Sequence, residues 1–211
     1  MADSLLPTYF RNRNERTLFL FVLSSPSLFI SIMRKIKNAE LGRKSIDEFK
    51  LSTKLPVIIV LDNVRSLHNI GSVFRSADAF LVEAVYLCGI TACPPHREIE
   101  KTALGATESV TWKYFASTNE AMNELIKKGF TLIAIEQAEG GTTLDAFSFT
   151  RDHRYALIFG HEIYGVGEDV MEKVEAAIEI PQAGTKHSLN IAVCAGIVLW
   201  EVFSKLTKPK V

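Results

Sequence analysis

The stretch Val57-Ile58-Ile59-Val60-Leu61 is a continuous aliphatic run, and most of its residues are β-branched. It lacks the polar alternation of a half-exposed strand, which is typical of strands covered on both faces in parallel sheets. Four further segments of similar character are predicted as strands: Ala84–Cys88, Thr131–Ile135, Tyr155–Phe159 and Ala177–Ile180. The sequence therefore predicts a mostly parallel sheet that needs helices on both of its faces.

Helix-forming stretches fill gaps between these strands: Ile70–Phe80, Asn119–Lys128, Glu168–Glu175 and Leu189–Lys205. Strands that alternate with helices indicate an α/β domain in which helices flank a mostly parallel sheet. We assign this domain to residues 55–211. Residues 34–54 are polar and helix-prone, so we interpret residues 1–54 as an N-terminal helical arm and linker.

The C-terminal helix is predicted to be apolar over almost its whole circumference, since Asn190 is the polar exception between Leu189 and Leu199. A helix of this kind is normally buried on more than one side. Packing under the sheet together with a subunit interface would provide that cover, and burial in the core of a monomer would also provide it. Ser188 is the predicted N-cap of this helix.

Composition excludes a disordered, collagen-like or coiled-coil chain, because 47% of the 211 residues are hydrophobic and 23% are charged. The formal net charge is zero, so bulk charge does not indicate a nucleic-acid partner. Residues 1–50 are nevertheless basic, with nine Lys or Arg against five acids.

Three cysteines and five scattered histidines offer no disulfide framework and no zinc-type spacing, which predicts a cytoplasmic protein without a metal site.

The N-terminal segment allows several interpretations. The apolar run Leu18–Leu23 follows three arginines and so resembles the beginning of a signal peptide. Residues 24–27, three serines and a proline, interrupt the run, and it is too short to span a membrane. Because residues 33–37 resemble an ordinary cytoplasmic start, we interpret residues 1–32 as a misassigned start or an extension. A poorly packed or membrane-touching segment is the alternative.

The segment after the first strand contains Asn69, Gly71 and Arg75 in the spacing Asn-x-Gly-x-x-x-Arg. Asn69 is predicted to cap the helix that follows. Gly71 and Arg75 share one helical face, and Gly71 has no side chain to block what Arg75 approaches. Backbone N–H groups and the guanidinium would then bind an anion at this helix start. An ordinary capped helix with a solvated arginine has the same pattern.

Two more unusual segments follow predicted strands. Phe159–Gly167 has three glycines within eight residues, which permits close approach of a ligand, although the spacing is not that of a dinucleotide-binding fingerprint. Glu162 lies in this loop and is either a solvated acid or an acceptor for loop amides or a ligand. Ile180–Asn190 presents polar residues at a helix N-terminus, the arrangement of a polar-group site or of an ordinary turn. Ligands gather at the carboxyl ends of strands in open α/β sheets, where all three segments fall.

Together the three segments resemble the motifs of the SpoU/TrmH family of RNA 2′-O-ribose methyltransferases, which belongs to the SPOUT superfamily. Order and approximate spacing both agree, and the resemblance covers about residues 55–205. The matching motifs are Asn69-x-Gly71-x-x-x-Arg75, Phe159-Gly160-x-Glu162-x-x-Gly165, and Ile180-Pro181 followed by Ser188-Leu189-Asn190. The stretch Lys101–Ala106 also resembles the linker of that family.

The resemblance implies a SPOUT fold with a C-terminal trefoil knot, a feature that no residue pattern would indicate because knots are nearly absent from proteins. It also implies S-adenosylmethionine as cofactor, tRNA or rRNA as substrate, and a homodimer. The cofactor would be bound mostly by backbone of the loops at 135–138, 160–165 and 180–189. The implied cofactor-binding residues are Ile135, Glu136, Gly160, Gly165, Ile180, Ser188 and Leu189.

The catalytic residues implied by the resemblance are Arg75, Asn69, Glu162, Ser188 and Asn190. The family assigns general-base chemistry to the arginine of the first motif, which works beside the cofactor pocket of the partner subunit. A guanidinium rarely gives up its proton, so we expect the arginine at least to hold RNA phosphate and to stabilise negative charge on oxygen. The alternative, in which it acts as the base, requires strong local perturbation of its pKa. We expect Asn69 to orient it or the ribose, Glu162 to hold the second loop, and the last two residues to shape the pocket.

The chain departs from the family pattern at His161, where a small polar residue is common, and in the third loop, where Gln182-Ala183 and Lys186-His187 replace a Met–Gly turn followed by an apolar residue. These departures affect loop packing and substrate choice more than reaction class.

Three alternative functions remain: base methylation within the superfamily, a non-catalytic RNA-binding or assembly protein, and a nucleotide-binding oxidoreductase.

Overall fold

The computed structural model describes residues 33–207, and the interpretations of residues 1–32 lie outside this range. The chain divides into two compact units, Met1–Arg43 and Lys44–Val211. In the first unit the described part holds a short 3-10 helix, Asn38–Glu40. The predicted domain division after residue 54 remains a prediction.

The larger unit contains seven helices and seven strands between residues 44 and 207. The strands are β1 Leu55–Asp62, β2 Val82–Cys88, β3 Trp112–Phe115, β4 Phe130–Ile135, β5 Thr142–Thr143, β6 Arg154–Phe159 and β7 Ala176–Glu179. The helices are α1 Ile46–Leu51, α2 Leu67–Ala79, α3 Arg97–Ala103, α4 Ala106–Ser109, α5 Thr118–Lys127, α6 Glu168–Met171 and α7 Ile191–Thr207.

The strands form one sheet in the order β3-β2-β1-β6-β4-β7-β5, and every pair in it is parallel. The predicted α/β class with a parallel sheet is confirmed. Strand β6 lies between β1 and β4, although it follows both of them along the chain. The trefoil knot that the resemblance implies stays a prediction.

Strand β1 shows why the aliphatic run specifies this architecture. Ile59 and Leu61 belong to the hydrophobic core that also contains buried residues of α2, α3 and α7. Ile58 and Val60 belong to a second core on the opposite face, which contains buried residues of α5 and α6. Successive residues of a strand point to opposite faces, so a continuous apolar run is buried on both sides.

The ends of several elements differ from the prediction. Ser66 caps α2 through a hydrogen bond from the backbone amide of Asn69, so the predicted cap, Asn69, is wrong. Helix α7 begins at Ile191, and the side chain of Asn190 accepts bonds from Ala192 N at 2.9 Å and Val193 N at 3.3 Å. The predicted Ser188 cap is therefore also wrong, and α6 ends at Met171, four residues before the predicted end.

Gly71 serves helix packing rather than access to Arg75. A Cβ atom at this position would lie 2.2 Å from both the carbonyl oxygen of Ile99 and the hydroxyl of Thr102. The glycine therefore allows α2 and α3 to pack with their backbones in close contact, and the sequence-based role of Gly71 is corrected on this point.

Helix α7 has one buried and one exposed apolar face. Its inner face places Ala195, Val198, Leu199 and Val202 in the core. Its outer face exposes 53% of Val193, 39% of Ile197 and 58% of Trp200, which form one stripe along the helix. Within the described part of the chain, no helix is long and apolar enough to cross a membrane.

Candidate active site

The carboxyl ends of β6, β4 and β7, three neighbouring strands, open onto a cavity of about 710 Å³. The loops that follow these strands form its wall. All seven predicted cofactor-binding residues line it: Ile135, Glu136, Gly160, Gly165, Ile180, Ser188 and Leu189. Of the predicted catalytic residues, Glu162, Ser188 and Asn190 line it as well. The second and third sequence motifs and the loop after β4 thus converge on one cavity at the carboxyl edge of the sheet, where open α/β folds bind ligands.

The loop after β6 folds back on itself at the cavity mouth. His161 and Gly165 exchange two backbone hydrogen bonds of 2.9 Å, which close the loop. Gly165 has a φ of 68°, a conformation that residues with a Cβ adopt at a cost. A Cβ at Gly165 would also lie 2.3 Å from Oε2 of Glu136. Glycine at this position is therefore required by backbone conformation and by close packing.

Glu136 joins the loops after β4 and β6. Its carboxylate accepts a hydrogen bond from Val166 N at 3.1 Å and another from Gln137 N at 3.0 Å. Cys194 of α7 lines the same cavity. Burial, together with the negative charge of Glu136, raises the pKa of the Cys194 thiol to about 11. This cysteine is therefore a neutral part of the wall at physiological pH rather than a thiolate nucleophile.

Glu162 links the second loop to the start of α2. Its carboxylate accepts bonds from the backbone amides of Arg65 at 3.1 Å and Ser66 at 2.9 Å, and from Nδ2 of Asn69 at 3.3 Å. Partial burial acts to raise the pKa of Glu162, but the backbone hydrogen bonds outweigh it and lower the pKa below its ordinary value. The folded chain therefore favours the charged carboxylate. The stability that Glu162 contributes is present above the ordinary pKa of a glutamate and is lost as the pH falls through its lowered pKa.

Asn69 extends this link to α7. Asn190 donates from Nδ2 to Oδ1 of Asn69 at 3.0 Å, and Oδ1 of Asn190 caps α7. The loop after β6, the start of α2 and the start of α7 are thus joined through three side chains: Glu162, Asn69 and Asn190. We call these three residues the Glu–Asn–Asn network. Its members hold structural elements in place, and among residues 33–207 Asn69 forms no hydrogen bond with Arg75. The other expected role of Asn69, orienting the ribose, stays a prediction.

Arg75 is exposed on α2 and does not line the cavity of its own subunit. Among residues 33–207 its guanidinium has no hydrogen-bond or ion-pair partner. Ser188 is exposed in the third loop, on the cavity wall. The structure therefore brings four of the five predicted catalytic residues together and leaves the arginine outside that group.

Sequence reasoning missed Asp62, a buried carboxylate at the end of β1. It accepts hydrogen bonds from Asn63 Nδ2 at 2.8 Å, from the Thr118 hydroxyl at 2.5 Å and from Gly167 N at 3.1 Å. Asp62 thereby ties the base of the second loop to the end of β1. The available signal was an acid placed directly after a strand predicted to be buried on both faces. In the described range, no group of three or more His, Cys, Asp or Glu side chains is placed to hold a metal ion.

Comparison with known families adds to this geometry. The family model described as "SpoU rRNA Methylase family" matches residues 56–200. The chain belongs to the SpoU rRNA methylase family. The match spans β1 to the middle of α7 and so includes all three loops of the cavity wall.

Relatives within the family include two kinds of enzyme. The 23S rRNA (guanosine-2′-O-)-methyltransferase RlmB of Nitrosomonas europaea is 35% identical over 72% of this chain and 57% of its own length. The chain thus matches little more than half of that relative. The tRNA (guanosine(18)-2′-O)-methyltransferase of Thermus thermophilus is 28% identical over 78% of this chain and 83% of its own length.

A crystal structure of AdoMet-bound rRNA methyltransferase from Sinorhizobium meliloti has the same fold. It superposes with a TM-score of 0.67 at 26% identity, covering 79% of this chain and 62% of that one. The fold of this SpoU-family chain is therefore that of the family's known structures.

Proposed function

We propose that this SpoU-family chain transfers a methyl group from S-adenosylmethionine to a ribose 2′-hydroxyl of tRNA or rRNA. The observation that carries the proposal is the cavity at the carboxyl edge of the sheet, which is lined by the loops at 135–138, 160–165 and 180–189 together with strand ends and α7. The Glu–Asn–Asn network ties the loop after β6, through the start of α2, to the start of α7, where the third loop ends. The rRNA and tRNA 2′-O-methyltransferases among its relatives support the reaction and the substrate class.

The cavity suits S-adenosylmethionine in size and chemistry. Its volume of about 710 Å³ lies within the ordinary range of small-molecule sites. Its wall combines apolar side chains such as Ile135, Ile178 and Leu189 with the Glu136 carboxylate and loop backbone. This mixture fits a ligand with an aromatic base, hydroxyl groups and a positively charged centre. When bound, the cofactor supplies an activated methyl group on its sulfonium.

The chain's own contribution is positioning and charge stabilisation. Holding the reacting oxygen in line with the methyl group is worth several kcal/mol, and the Glu–Asn–Asn network provides a rigid frame for it. We assign Arg75 to the RNA phosphate and to the negative charge that develops on the ribose oxygen. Ser188, at the exposed cavity wall, shapes the pocket beside Asn190. This scheme uses no metal ion. The cytoplasmic location that the cysteine pattern indicates remains a prediction.

The direct test compares nucleosides of tRNA and rRNA from cells with and without the gene by mass spectrometry. We expect one 2′-O-methylnucleoside to disappear from one RNA when the gene is deleted and to return with the wild-type gene. Loss of a base-methylated nucleoside would favour base methylation, while unchanged nucleosides with altered ribosome assembly would favour the non-catalytic alternative. Binding of NAD in place of S-adenosylmethionine would favour the oxidoreductase.

We also propose that the chain acts as a homodimer formed through the outer face of α7. This face exposes a stripe of Val193, Ile197 and Trp200, and contiguous apolar surface of this kind is typical of subunit interfaces. Arg75 is exposed on α2, which packs against α7. We assign it to the cavity of the second copy in this dimer, which gives a site of action to a guanidinium that has no partner among residues 33–207.

Trp200→Asp is therefore expected to convert the dimer to a monomer and to lower methyl transfer, because it buries a charge in an apolar interface. Light scattering at micromolar concentration measures the mass, and transfer is measured on the same sample. Ile126→Asp, on the exposed side of α5, is the matched control and should leave the dimer intact. A wild-type chain that is fully active as a monomer would refute the proposal.

A further inference from the structure

The tip of the loop after β6 exposes apolar and aromatic surface at the cavity mouth. Tyr164 is 82% exposed and Ile163 is 71% exposed, although both line the cavity. The ring of His161 lies 4.8 Å from the ring of Tyr164, with an interplanar angle of 38°. An aromatic surface in this position is available to a ligand that extends out of the cavity.

This tip is held in place by bonds to its base. The backbone pair between His161 and Gly165 closes the loop, and Nδ1 of His161 accepts a hydrogen bond from Ile163 N at 3.0 Å. Glu162, between these residues, is fixed to the start of α2. The aromatic side chain is thus presented on a rigid support, which lowers the entropic cost of binding a ligand to it.

Arg65, a positively charged residue, lies next to the base of this loop. The backbone amide of Arg65 donates to Glu162, so Arg65 adjoins the base of the loop. Arg65 is exposed, and among residues 33–207 its guanidinium has no hydrogen-bond or ion-pair partner. Glu162 does not neutralise that guanidinium through a side-chain ion pair, since its carboxylate is bound to backbone amides and Asn69.

We propose that Tyr164 and Arg65 bind the target nucleotide, with the tyrosine ring stacked on its base and the guanidinium on an adjacent phosphate. The inference rests on the proposed function, which places the ribose of that nucleotide in the cavity. The base and the phosphates attached to this ribose must then extend across the cavity rim. Single-stranded RNA is bound through aromatic stacking on splayed bases and through cationic contacts to its backbone.

Tyrosine variants test the stacking contact, with RNA isolated from cells lacking the gene as the probe. Tyr164→Ala and Tyr164→Leu should raise the RNA dissociation constant about tenfold, whereas Tyr164→Phe should stay within about twofold of wild type. Leucine keeps apolar bulk without a π-face, so it separates stacking from simple burial. Tyr114→Phe, at an exposed position on β3, is the control and should behave as wild type.

Arginine variants test the phosphate contact through its salt dependence. Arg65→Ala should lower the slope of log affinity against log salt by about 0.7 to 0.9, the change expected for one lost phosphate contact. Arg65→Lys should keep most of the slope, and Tyr164→Ala should leave it unchanged. Lys127→Ala, an exposed residue at the end of α5, is the control for a general loss of positive charge.

Filter binding and methyl transfer are measured side by side so that the two proposals fail separately. Wild-type transfer together with wild-type RNA affinity in Tyr164→Ala and Arg65→Ala would overturn the nucleotide contact and leave the methyltransferase proposal standing. Weakened S-adenosylmethionine affinity or loss of the dimer in Tyr164→Ala would also overturn it, because the ring would then belong to the cofactor site or the subunit interface. If the wild-type chain transfers no methyl group, weaker RNA binding by Tyr164→Ala and Arg65→Ala still supports the nucleotide contact. RNA binding equal to that of wild type refutes it.

Discussion

Arg75→Ala should lower the single-turnover rate of methyl transfer by about a hundredfold to a thousandfold at saturating RNA and cofactor. Removal of one preorganised charge-stabilising group in other enzymes has effects of this size. S-adenosylmethionine affinity should change less than about twofold, because Arg75 does not line the cavity of its own subunit and its assigned contacts in the dimer are to the RNA phosphate and the ribose oxygen, not to the cofactor. The variant should fold normally, since its side chain is exposed and has no partner within residues 33–207.

Arg75→Lys separates a guanidinium-specific contact from simple positive charge. A lysine ammonium is a point charge and does not reproduce the planar, two-pronged contact of arginine with a phosphate, so we expect a rate at least about tenfold below wild type. Arg97→Ala is the matched control, because this exposed arginine begins the neighbouring helix α3. A solvated helix arginine would behave like Arg97, and an Arg75→Ala rate within a few-fold of wild type would refute its assigned role.

Gly165→Ala should raise the S-adenosylmethionine dissociation constant at least about tenfold and lower methyl transfer with it. Alanine at a φ of 68° costs about 1–2 kcal/mol, and its Cβ would lie 2.3 Å from the carboxylate of Glu136. Either Glu136 leaves its bonds to Gln137 and Val166 or the loop moves, and both changes alter the cavity wall. The readout is calorimetry of cofactor binding, with the melting temperature measured in parallel.

Gly129→Ala is the control for this substitution. Gly129 also has a positive φ, 74°, but it lies between α5 and β4, does not line the cavity, and a Cβ built there has no atom within 4 Å. We expect its cofactor affinity to match that of wild type, while the same backbone strain lowers its melting temperature. Unchanged cofactor affinity in Gly165→Ala would contradict the assignment of this cavity to the cofactor, even if the fold is destabilised.

The architecture was accessible from sequence where burial leaves a continuous pattern. Strands β1, β2, β4, β6 and β7 were all predicted within about two residues of their ends, because each carries a run of apolar residues, most of them buried in the first four strands and only Ile178 buried in β7. Strand β3 was missed, since Lys113 and Tyr114 are exposed at the sheet edge and break such a run. Strand β5 has two residues, too few to give any periodicity.

Most of the residues that were singled out from the sequence line the cavity, but the bonds between them were not predicted. All seven residues predicted to bind the cofactor, which were taken from the three recognised loops, line the cavity. Glu162, however, bonds to backbone 97 and 96 residues away, and local spacing carries no information on such a contact. The caps failed for a related reason: Ser66 and Asn69, like Ser188 and Asn190, have similar capping preference, and tertiary contacts decide which one caps the helix.

The central claim is that the methyl group reaches a ribose oxygen, and the position of a transferred label tests it most directly. RNA from cells lacking the gene is incubated with the wild-type chain and S-adenosylmethionine labelled in its methyl group, digested to nucleosides and analysed by mass spectrometry. We predict that the label appears in a nucleoside methylated at the 2′-oxygen and that Arg75→Ala lowers its rate of appearance by about a hundredfold to a thousandfold. Label on a nucleobase, or no label in any RNA from a chain that binds the cofactor, would contradict the account.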